Sequence, residues 1–288
     1  MRTIRFTSFL GLFLAFLLLV TACAPAAGPS PSSPPLASII LATTTSTQDS
    51  GLLDDLIPLF TKETGIQVKV IAVGTGEALA MGERGDADVL LVHSRMSEDA
   101  FMAKGQGSLR YDVMHNDFLL VGPPADPAKA KGLEITAALQ AIAKTQALFV
   151  SRGDNSGTNS KELALWKKAT ITPSGQAWYL SAGQGMGETA RIASEKGAYT
   201  LIDRATYLAT EKGLQLVIIS EKNKDLLNPY GVIVVNPANH PKVHAVEAKT
   251  FADWIVRPDI QKFIGEFGVA QYGQQLFVPD ANARGATP

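Results

Sequence analysis

Apolar and polar positions along the first third of the chain follow two alternating periods. Residues 38–42, 66–73 and 89–92 form short apolar or alternating runs, which are typical of β-strands. Between these runs, residues 51–64 place apolar side chains at helical spacing and residues 77–84 predict a second, short helix. A β-α-β-α-β order predicts an α/β protein in which a parallel sheet carries helices on its faces.

The rest of the chain continues this pattern with other lengths. Further strands are predicted at 116–122, 147–151, 198–202, 214–219 and 229–237, and further helices at 157–168, 243–256 and 259–267. The strands 116–122 and 229–237 could leave and re-enter a first domain. The expected architecture is therefore two-lobed, with parallel-rich sheets, helices on both faces and a two-strand hinge. Lobe I would comprise residues 37–120 and 231–288, and lobe II residues 121–230.

The N-terminal segment has the composition of an export signal. Residues 1–22 combine the basic Arg2 and Arg5 with an apolar run that is short for a membrane-spanning helix. The run ends in V-T-A-C, which resembles the lipobox of bacterial lipoproteins and predicts lipidation of Cys23. Residues 23–36 are rich in Pro, Ser and Ala and predict a flexible linker. An extracytoplasmic, membrane-anchored lipoprotein is expected; a simple secretory signal or an uncleaved anchor are the alternatives.

Composition excludes several classes of function. The formal net charge of −1 provides no basic field for a nucleic acid. Cys23 is the single cysteine, so no intramolecular disulfide can form. No Cys/His cluster has zinc spacing, and the His240/His244 pair is interrupted by a proline, so no metal site and no cofactor are expected. A Walker A motif is absent from the sequence, so any ATPase would be a separate subunit.

Three loops that follow predicted strands are candidates for ligand binding. They are A-T-T-T-S-T at 42–47, G-T-G at 74–76 and S-R-G-D-N-S-G-T at 151–158. Each precedes a helix, and helix N-termini attract anions through unpaired N–H groups and the positive end of the dipole. Arg152 would add a permanent charge in a geometry that matches oxyanions. The alternatives are that the hydroxyls merely cap helices, the glycines form turns, and Arg152 pairs with Asp154 on the surface.

Several long motifs resemble one known family. They are T-T-T-S-T-Q-D-S-G-L-L, V-G-T-G, G-D-A-D-V-L-L-V-H-S, S-R-G-D-N-S-G-T, G-Q-G-M-G, Y-T-L-I-D-R and L-N-P-Y-G-V-I-V-V-N-P. Together they resemble the tungstate-binding proteins of Tup-type ABC importers, within the class II periplasmic binding proteins, over about residues 40–280. The resemblance implies a periplasmic binding protein type II fold that captures tungstate, and molybdate less specifically, between two lobes. It also implies a monomer that is not an enzyme and that delivers its oxyanion to a membrane permease.

Matched motif by motif, the resemblance implies a set of ligand-binding residues: Thr44, Thr45, Ser46, Thr75, Arg152, Ser156, Gly157 and Thr158. Which of Thr43, Thr44 and Thr45 faces the ligand stays open. Asp154 is expected to turn away from the anion and to hold the guanidinium of Arg152. Asn159 stands where relatives often have His and, because it follows the loop, is expected to matter little.

Two alternatives to a tungstate receptor remain open. A phosphate- or sulfate-binding protein would share the fold and change the anion. A hydrolase would use Ser156 as its nucleophile, although G-D-N-S-G matches neither G-D-S-G-G nor G-x-S-x-G. His93 could lie near the ligand but is expected to be a satisfied polar residue, and the glycine-rich segment 183–187 is not a dinucleotide fingerprint.

Overall fold

The computed structural model describes residues 37–281. The predicted signal peptide, Cys23 and the linker before residue 37 lie outside the described residues. The strands are β1 (Ser38–Thr44), β2 (Gln67–Val73), β3 (Val89–Val92), β4 (Gly107–Gly122), β5 (Phe149–Ser151), β6 (Tyr179–Ser181), β7 (Thr200–Asp203), β8 (Val217–Ser220), β9 (Leu227–Val235) and β10 (Val278–Pro279).

Eleven α-helices connect these strands within residues 37–281. They are α1 (Thr45–Asp49), α2 (Leu52–Thr64), α3 (Thr75–Arg84), α4 (Arg95–Ala103), α5 (Ile135–Thr145), α6 (Gly157–Lys168), α7 (Met186–Lys196), α8 (Arg204–Thr210), α9 (Ala245–Ile255), α10 (Pro258–Glu266) and α11 (Val269–Tyr272). Among the described residues, none of these helices combines the length and the apolar character that a membrane crossing requires.

The first part of the sheet is parallel, as its β-α-β-α-β pattern predicts. Strand β1 pairs in parallel with β2 on one side and with β3 on the other. Helix α2 ends at Gly65, whose left-handed φ of 74° provides a C-cap that glycine adopts without steric cost. Because all three strands run in the same direction, the loops that follow β1 and β2 emerge at the same edge of the sheet.

Strands β4 and β9 form the centre of the molecule, where pairing is antiparallel. The first part of β4 pairs with β9, and its last residues pair with β7 and β8. Strand β4 begins at Gly107, earlier than the predicted residue 116, because its first residues pair with β9, which is distant in the chain. The expected α/β class is confirmed, and antiparallel pairs contribute more to the large sheet than the sequence pattern indicated.

The hydrophobic core is divided into clusters. One cluster lies entirely within residues 118–226 and includes Phe149, Trp166 and Tyr199. The largest cluster combines β1, β3 and α2 with residues of α7 and with the aromatic group of Phe60, Phe251 and Trp254. Since this cluster draws residues from both segments, the boundaries of lobe I and lobe II stay a prediction.

Candidate functional site

The first candidate loop turns directly into a short helix. The sequence pattern placed the next helix at residue 51, but α1 already begins at Thr45, because the Thr44 hydroxyl accepts the N–H of Thr47 and caps it. The hydroxyl of Thr43 donates to the carbonyl of Leu91 on β3 at 2.8 Å. Thr43 therefore faces the sheet, and Thr44 and Thr45 are the threonines at the helix N-terminus.

The second and third loops lie against each other. A Cβ added to Gly74 would approach Ser156 Cβ to 3.4 Å, and one added to Gly76 would come within 2.9 Å of the Asn155 carbonyl. A Cβ on Gly157 would lie 2.9 Å from Thr75 Oγ1. The N-termini of α3 and α6 are thus in contact, and glycine at these positions is what permits the contact.

Arg152 lies in the third loop and is only 1% exposed. Its Nη2 donates to Asp154 Oδ2 at 2.6 Å and to Thr45 Oγ1 at 3.1 Å. The expected ion pair with Asp154 is therefore present, but it is buried and does not belong to the surface. Together these contacts bring the first loop and the third loop to one place, which we call the anion site.

Four buried polar side-chain atoms in the described part of the chain have no hydrogen-bond partner, and all four lie at the anion site. They are Thr75 Oγ1, Thr158 Oγ1, Arg152 Nε and Arg152 Nη1. Buried polar groups in proteins are nearly always paired, since an unpaired one costs about 1–3 kcal/mol. Two of these atoms lie in the first turns of α3 and α6 and two on the Arg152 guanidinium, and together they form a set of donors suited to a ligand that accepts hydrogen bonds.

All eight residues that the resemblance implied converge on this site. Thr44 and Ser46 hydrogen-bond each other at 3.1 Å, and Ser46 also approaches the ring of His93. Ser156 caps α6 by accepting the N–H of Asn159, which leaves its hydroxyl hydrogen free to donate. Gly157 and Thr158 contribute the first two N–H groups of α6, which have no partner inside the helix.

Asp154 does not offer an acceptor to a ligand at this site. Its Oδ2 accepts from Arg152, and its Oδ1 accepts from the backbone N–H of Ser156 at 3.1 Å. Both carboxylate oxygens are engaged in holding the third loop. The anion site therefore presents mainly donors.

Asn159 has a larger role than the sequence indicated. Its Oδ1 accepts the N–H of Asn155, its Nδ2 donates to Ser151 Oγ, and its own N–H donates to Ser156 Oγ. The Ser151 hydroxyl in turn donates to the buried carboxylate of Glu162 at 2.5 Å. This side chain joins both ends of the third loop, which argues against the expectation that Asn159 matters little.

A fourth helix, which sequence reasoning did not include, also reaches the site. The N–H of Met186, at the start of α7, donates to Thr45 Oγ1 at 3.2 Å, and the N–H of Gly187 donates to Asp49 at 3.1 Å. Gly185 makes this approach possible, because a Cβ there would meet Thr45 at 3.2 Å. The glycine-rich segment 183–187 was the signal that could have found it.

His93 is buried beneath the first loop and carries no charge at neutral pH. Burial, and secondarily the charge of Arg152, lowers its pKa to about 4. Its Nε2 lies 3.0 Å from Ser46 Oγ and 3.1 Å from Thr44 Oγ1, and no hydrogen bond joins it to Ser156. His93 is therefore committed to hydroxyls other than that of Ser156.

No metal centre is formed within the described residues. No group of three or more His, Cys, Asp or Glu side chains among residues 37–281 is arranged to hold a metal ion. The carboxylate of Asp154 and the ring of His93 are both occupied by protein partners.

Comparison with known proteins agrees with this geometry. Residues 29–259 match the PBP superfamily domain. The tungstate-binding protein TupA of Peptoclostridium acidaminophilum is 55% identical over 247 residues, which cover 85% of this chain and 86% of that protein. The solved structure of TupA from Desulfovibrio alaskensis G20 is 49% identical with a TM-score of 0.72, covering 85% of this chain and 100% of that one.

A second solved structure leads to the same group. The tungstate ABC transporter structure from Geobacter sulfurreducens is 49% identical with a TM-score of 0.74, and covers 80% of this chain and 98% of that one. The expected periplasmic binding protein fold is thus confirmed by relatives of high identity. The chain belongs to the PBP superfamily and, within it, to the family of TupA tungstate-binding proteins.

Proposed function

We propose that this protein is the extracytoplasmic solute-binding component of a tungstate ABC transporter. It captures tungstate at the anion site between two lobes and delivers it to a membrane permease that works with a separate ATPase. The observation on which the proposal depends is the set of four unpaired buried polar atoms on Thr75, Arg152 and Thr158. Relatives named as tungstate-binding proteins support the same ligand.

The chemistry of the donors favours a fully ionised tetrahedral anion. Arg152 provides one positive charge, and the N-termini of α3 and α6 provide N–H groups and positive dipole ends. Because water is excluded from buried donors of this kind, each hydrogen bond to the anion is stronger than it would be in solvent. Tungstate, whose four oxygens all accept and carry no proton near neutral pH, matches such a site.

Hydrogenphosphate is the alternative anion, and it fits less well. It has a proton to donate, so it gains from a carboxylate that faces it. Asp154 has both oxygens bound, to Arg152 and to the N–H of Ser156. Molybdate and sulfate share the ionised form of tungstate, so the same donors suit these two anions as well.

A hydrolase is not supported by the contacts of Ser156. Its Oγ caps α6, and Nε2 of His93 is directed at Thr44 and Ser46. A nucleophilic serine needs a base within hydrogen-bond reach. We therefore propose a binding protein without catalytic turnover, acting as a monomer and without a cofactor.

The location belongs to the proposal as well. Signal residues 1–22, lipidation of Cys23 and the linker to residue 36 would hold the protein on the outer side of a membrane. Labelling of cells with a radioactive fatty acid would test this part, since Cys23→Ala should abolish incorporation and release the protein.

Calorimetric titration with tungstate in a phosphate-free buffer tests the ligand. Tight binding of one tungstate per chain, retained when molybdate is present in excess, is the expected result. Binding of phosphate with no heat from tungstate would contradict the proposal and favour the alternative anion.

A further inference from the structure

His93 occupies a place where three parts of the molecule meet. It follows β3, is 4% exposed, and contacts the hydroxyls of the first loop through Nε2. A Cβ on Gly157 would lie 2.8 Å from its Nδ1, so the ring packs directly against the N-terminus of α6. Its Nδ1 lies 2.9 Å from Asn228 Oδ1 on β9.

The direction of the hydrogen bonds around His93 follows from a chain of amides. The buried carboxylate of Asp203 faces Asn116 Nδ2 at 3.4 Å, so the Asn116 amide donates there and its Oδ1 accepts from Asn228 Nδ2 at 2.8 Å. Asn228 Oδ1 is then left as an acceptor for His93. Nδ1 of the neutral ring therefore carries the proton, and Nε2 is the acceptor.

An acceptor at Nε2 fixes the direction in which a hydroxyl of the first loop donates its hydrogen. A hydroxyl of Ser46 or Thr44 must donate to Nε2, at 3.0 or 3.1 Å. The Thr44 hydroxyl also lies 2.7 Å from the Thr47 hydroxyl. These hydroxyls are thus bound to protein groups, and the position of the first loop depends on them.

We propose that His93 is a positioning residue for the anion site: by accepting a hydrogen bond from the hydroxyl of Ser46 or Thr44 it holds the first loop in place beside the N-terminus of α6. The same ring fixes the first loop relative to β9 through Asn228 and relative to β4 through Asn116. The inference rests on the proposed function, since it concerns the ligand of that site.

Two neutral replacements of His93, with side chains of different length, distinguish a positioning role from a packing role. The amide oxygen of His93→Gln can replace the Nε2 acceptor, whereas His93→Asn is too short to reach the hydroxyls and keeps only a donor for Asn228. We expect His93→Gln to bind tungstate within about threefold of the unmodified protein, and His93→Asn to bind about tenfold or more weakly. His240→Gln, on a half-buried loop histidine remote from the site, is the control and should not change binding.

A purely structural role would give another pattern. The two variants would then lower the thermal unfolding midpoint of the ligand-free protein while binding tungstate equally well, which would overturn the inference. Absence of tungstate binding by the unmodified protein would instead overturn the proposed function, and the inference with it.

Nitrogen NMR of the histidine rings in the unmodified protein gives a test that needs no variant to fold. The expected signal for His93 is that of a neutral ring protonated at Nδ1, with no titration between about pH 5.5 and 8. A ring protonated at Nε2, or a charged ring, would contradict the proposed direction of the hydrogen bonds.

Discussion

The hydroxyl oxygen of Thr45 accepts two hydrogen bonds, from Nη2 of Arg152 at 3.1 Å and from the N–H of Met186 at 3.2 Å. Both of its lone pairs are used, so its own hydrogen can only be donated. Thr45 lies in the segment predicted as lobe I, and its two partners lie in the segment predicted as lobe II. One hydroxyl therefore joins the two segments and adds a donor beside the buried guanidinium.

Replacement of Arg152 should have the largest effect on binding. Arg152→Ala removes the one cation of the anion site and two unpaired donor atoms. Because hydrogen bonds to charged groups contribute about 1.5–3 kcal/mol each, we expect affinity for tungstate to fall by more than about a hundredfold. Ser156→Ala should cost less, since only one hydroxyl is lost; calorimetry of both variants measures the difference.

Arg84→Ala is the matched control for Arg152. Arg84 is exposed and pairs with Glu77 and Asp86 on the surface. Surface pairs contribute little, so the control should bind like the unmodified protein. Equal losses for Arg152→Ala and Arg84→Ala would point to a general electrostatic effect instead of a direct contact.

The unpaired hydroxyls of Thr75 and Thr158 should affect binding and stability in opposite directions. Thr75→Val and Thr158→Val keep the shape of the side chain and remove a buried group without a partner. We expect each to weaken tungstate binding by about ten- to a hundredfold while leaving the ligand-free protein equally or more stable. Calorimetry and urea unfolding, carried out on the same preparations, measure both quantities.

Thr43→Val provides the reverse control. Its hydroxyl donates to the carbonyl of Leu91 and faces away from the site. The variant should lose about 1 kcal/mol of stability and no affinity. If Thr43→Val weakened binding as much as Thr75→Val, the assignment of donors in the first two loops would be wrong.

Removal of the Asn159 side chain should loosen the third loop. Asn159→Ala loses the bonds to the Asn155 N–H and to the Ser151 hydroxyl. Since the anion donors of this loop must be held in place before binding, we expect affinity to fall about tenfold and the stability of the ligand-free protein by about 1–3 kcal/mol. Asn239→Ala, which removes an exposed amide, serves as the control.

An unchanged affinity for Asn159→Ala would show that the third loop keeps its shape without this amide. Differential scanning fluorimetry with and without tungstate separates the two effects, because a loss of stability alone lowers both midpoints equally.

Because the second and third loops are in close contact, one added methyl group at Gly157 should strongly weaken tungstate binding. In Gly157→Ala the new Cβ would lie 2.8 Å from His93 Nδ1 and 2.9 Å from Thr75 Oγ1. These distances are below van der Waals contact, so the loops must separate, and tungstate binding should fall about a hundredfold or more. Gly213→Ala, where a Cβ meets nothing within 4 Å, should bind normally. Normal binding by Gly157→Ala would refute the packing of α6 against α3.

The buried carboxylate of Asp203 predicts a distinct pH dependence of stability. Burial raises its pKa to about 6, so the folded protein holds a proton that the unfolded chain releases near pH 3.8. The contribution to the free energy of unfolding is therefore complete at low pH and is lost, by up to about 3 kcal/mol, as pH rises through 6. Asp203→Asn removes this dependence and can still cap α8.

The measurement is the difference in unfolding free energy between Asp203→Asn and the unmodified protein, from urea unfolding at several pH values. The unfolding free energy of Asp203→Asn minus that of the unmodified protein should increase between about pH 4 and 7. His93 acts in the opposite direction, since its lowered pKa causes stability to be lost as pH falls toward 4. A difference that is flat with pH would contradict a raised pKa at Asp203.

Local patterns were sufficient to predict the elements that frame the anion site. The alternation at 66–73, the helical spacing of 51–64 and the loop at 151–158 are all encoded within a few residues, and α2, β2 and α6 were found close to their predicted bounds. Elements without a strong local pattern were missed, including α1, α7 and the first half of β4. The first half of β4 forms by pairing with β9, which is distant in the chain.

Sequence by itself determined the types of donor present and the positions where helices could present them. It also determined that Arg152 precedes a capped helix and that glycines flank the loops. Only the tertiary structure decided which groups are left for a ligand. The Thr43 hydroxyl donates to β3, Asp154 accepts from Arg152, and Asn159 accepts from the backbone of the third loop. The hydroxyls of Thr75 and Thr158 remain unpaired. The physical reason is that the pairing of a buried hydrogen-bonding group depends on where its possible partners lie in the folded chain, whether they are close in sequence, as for Asp154, or distant, as Leu91 is for Thr43.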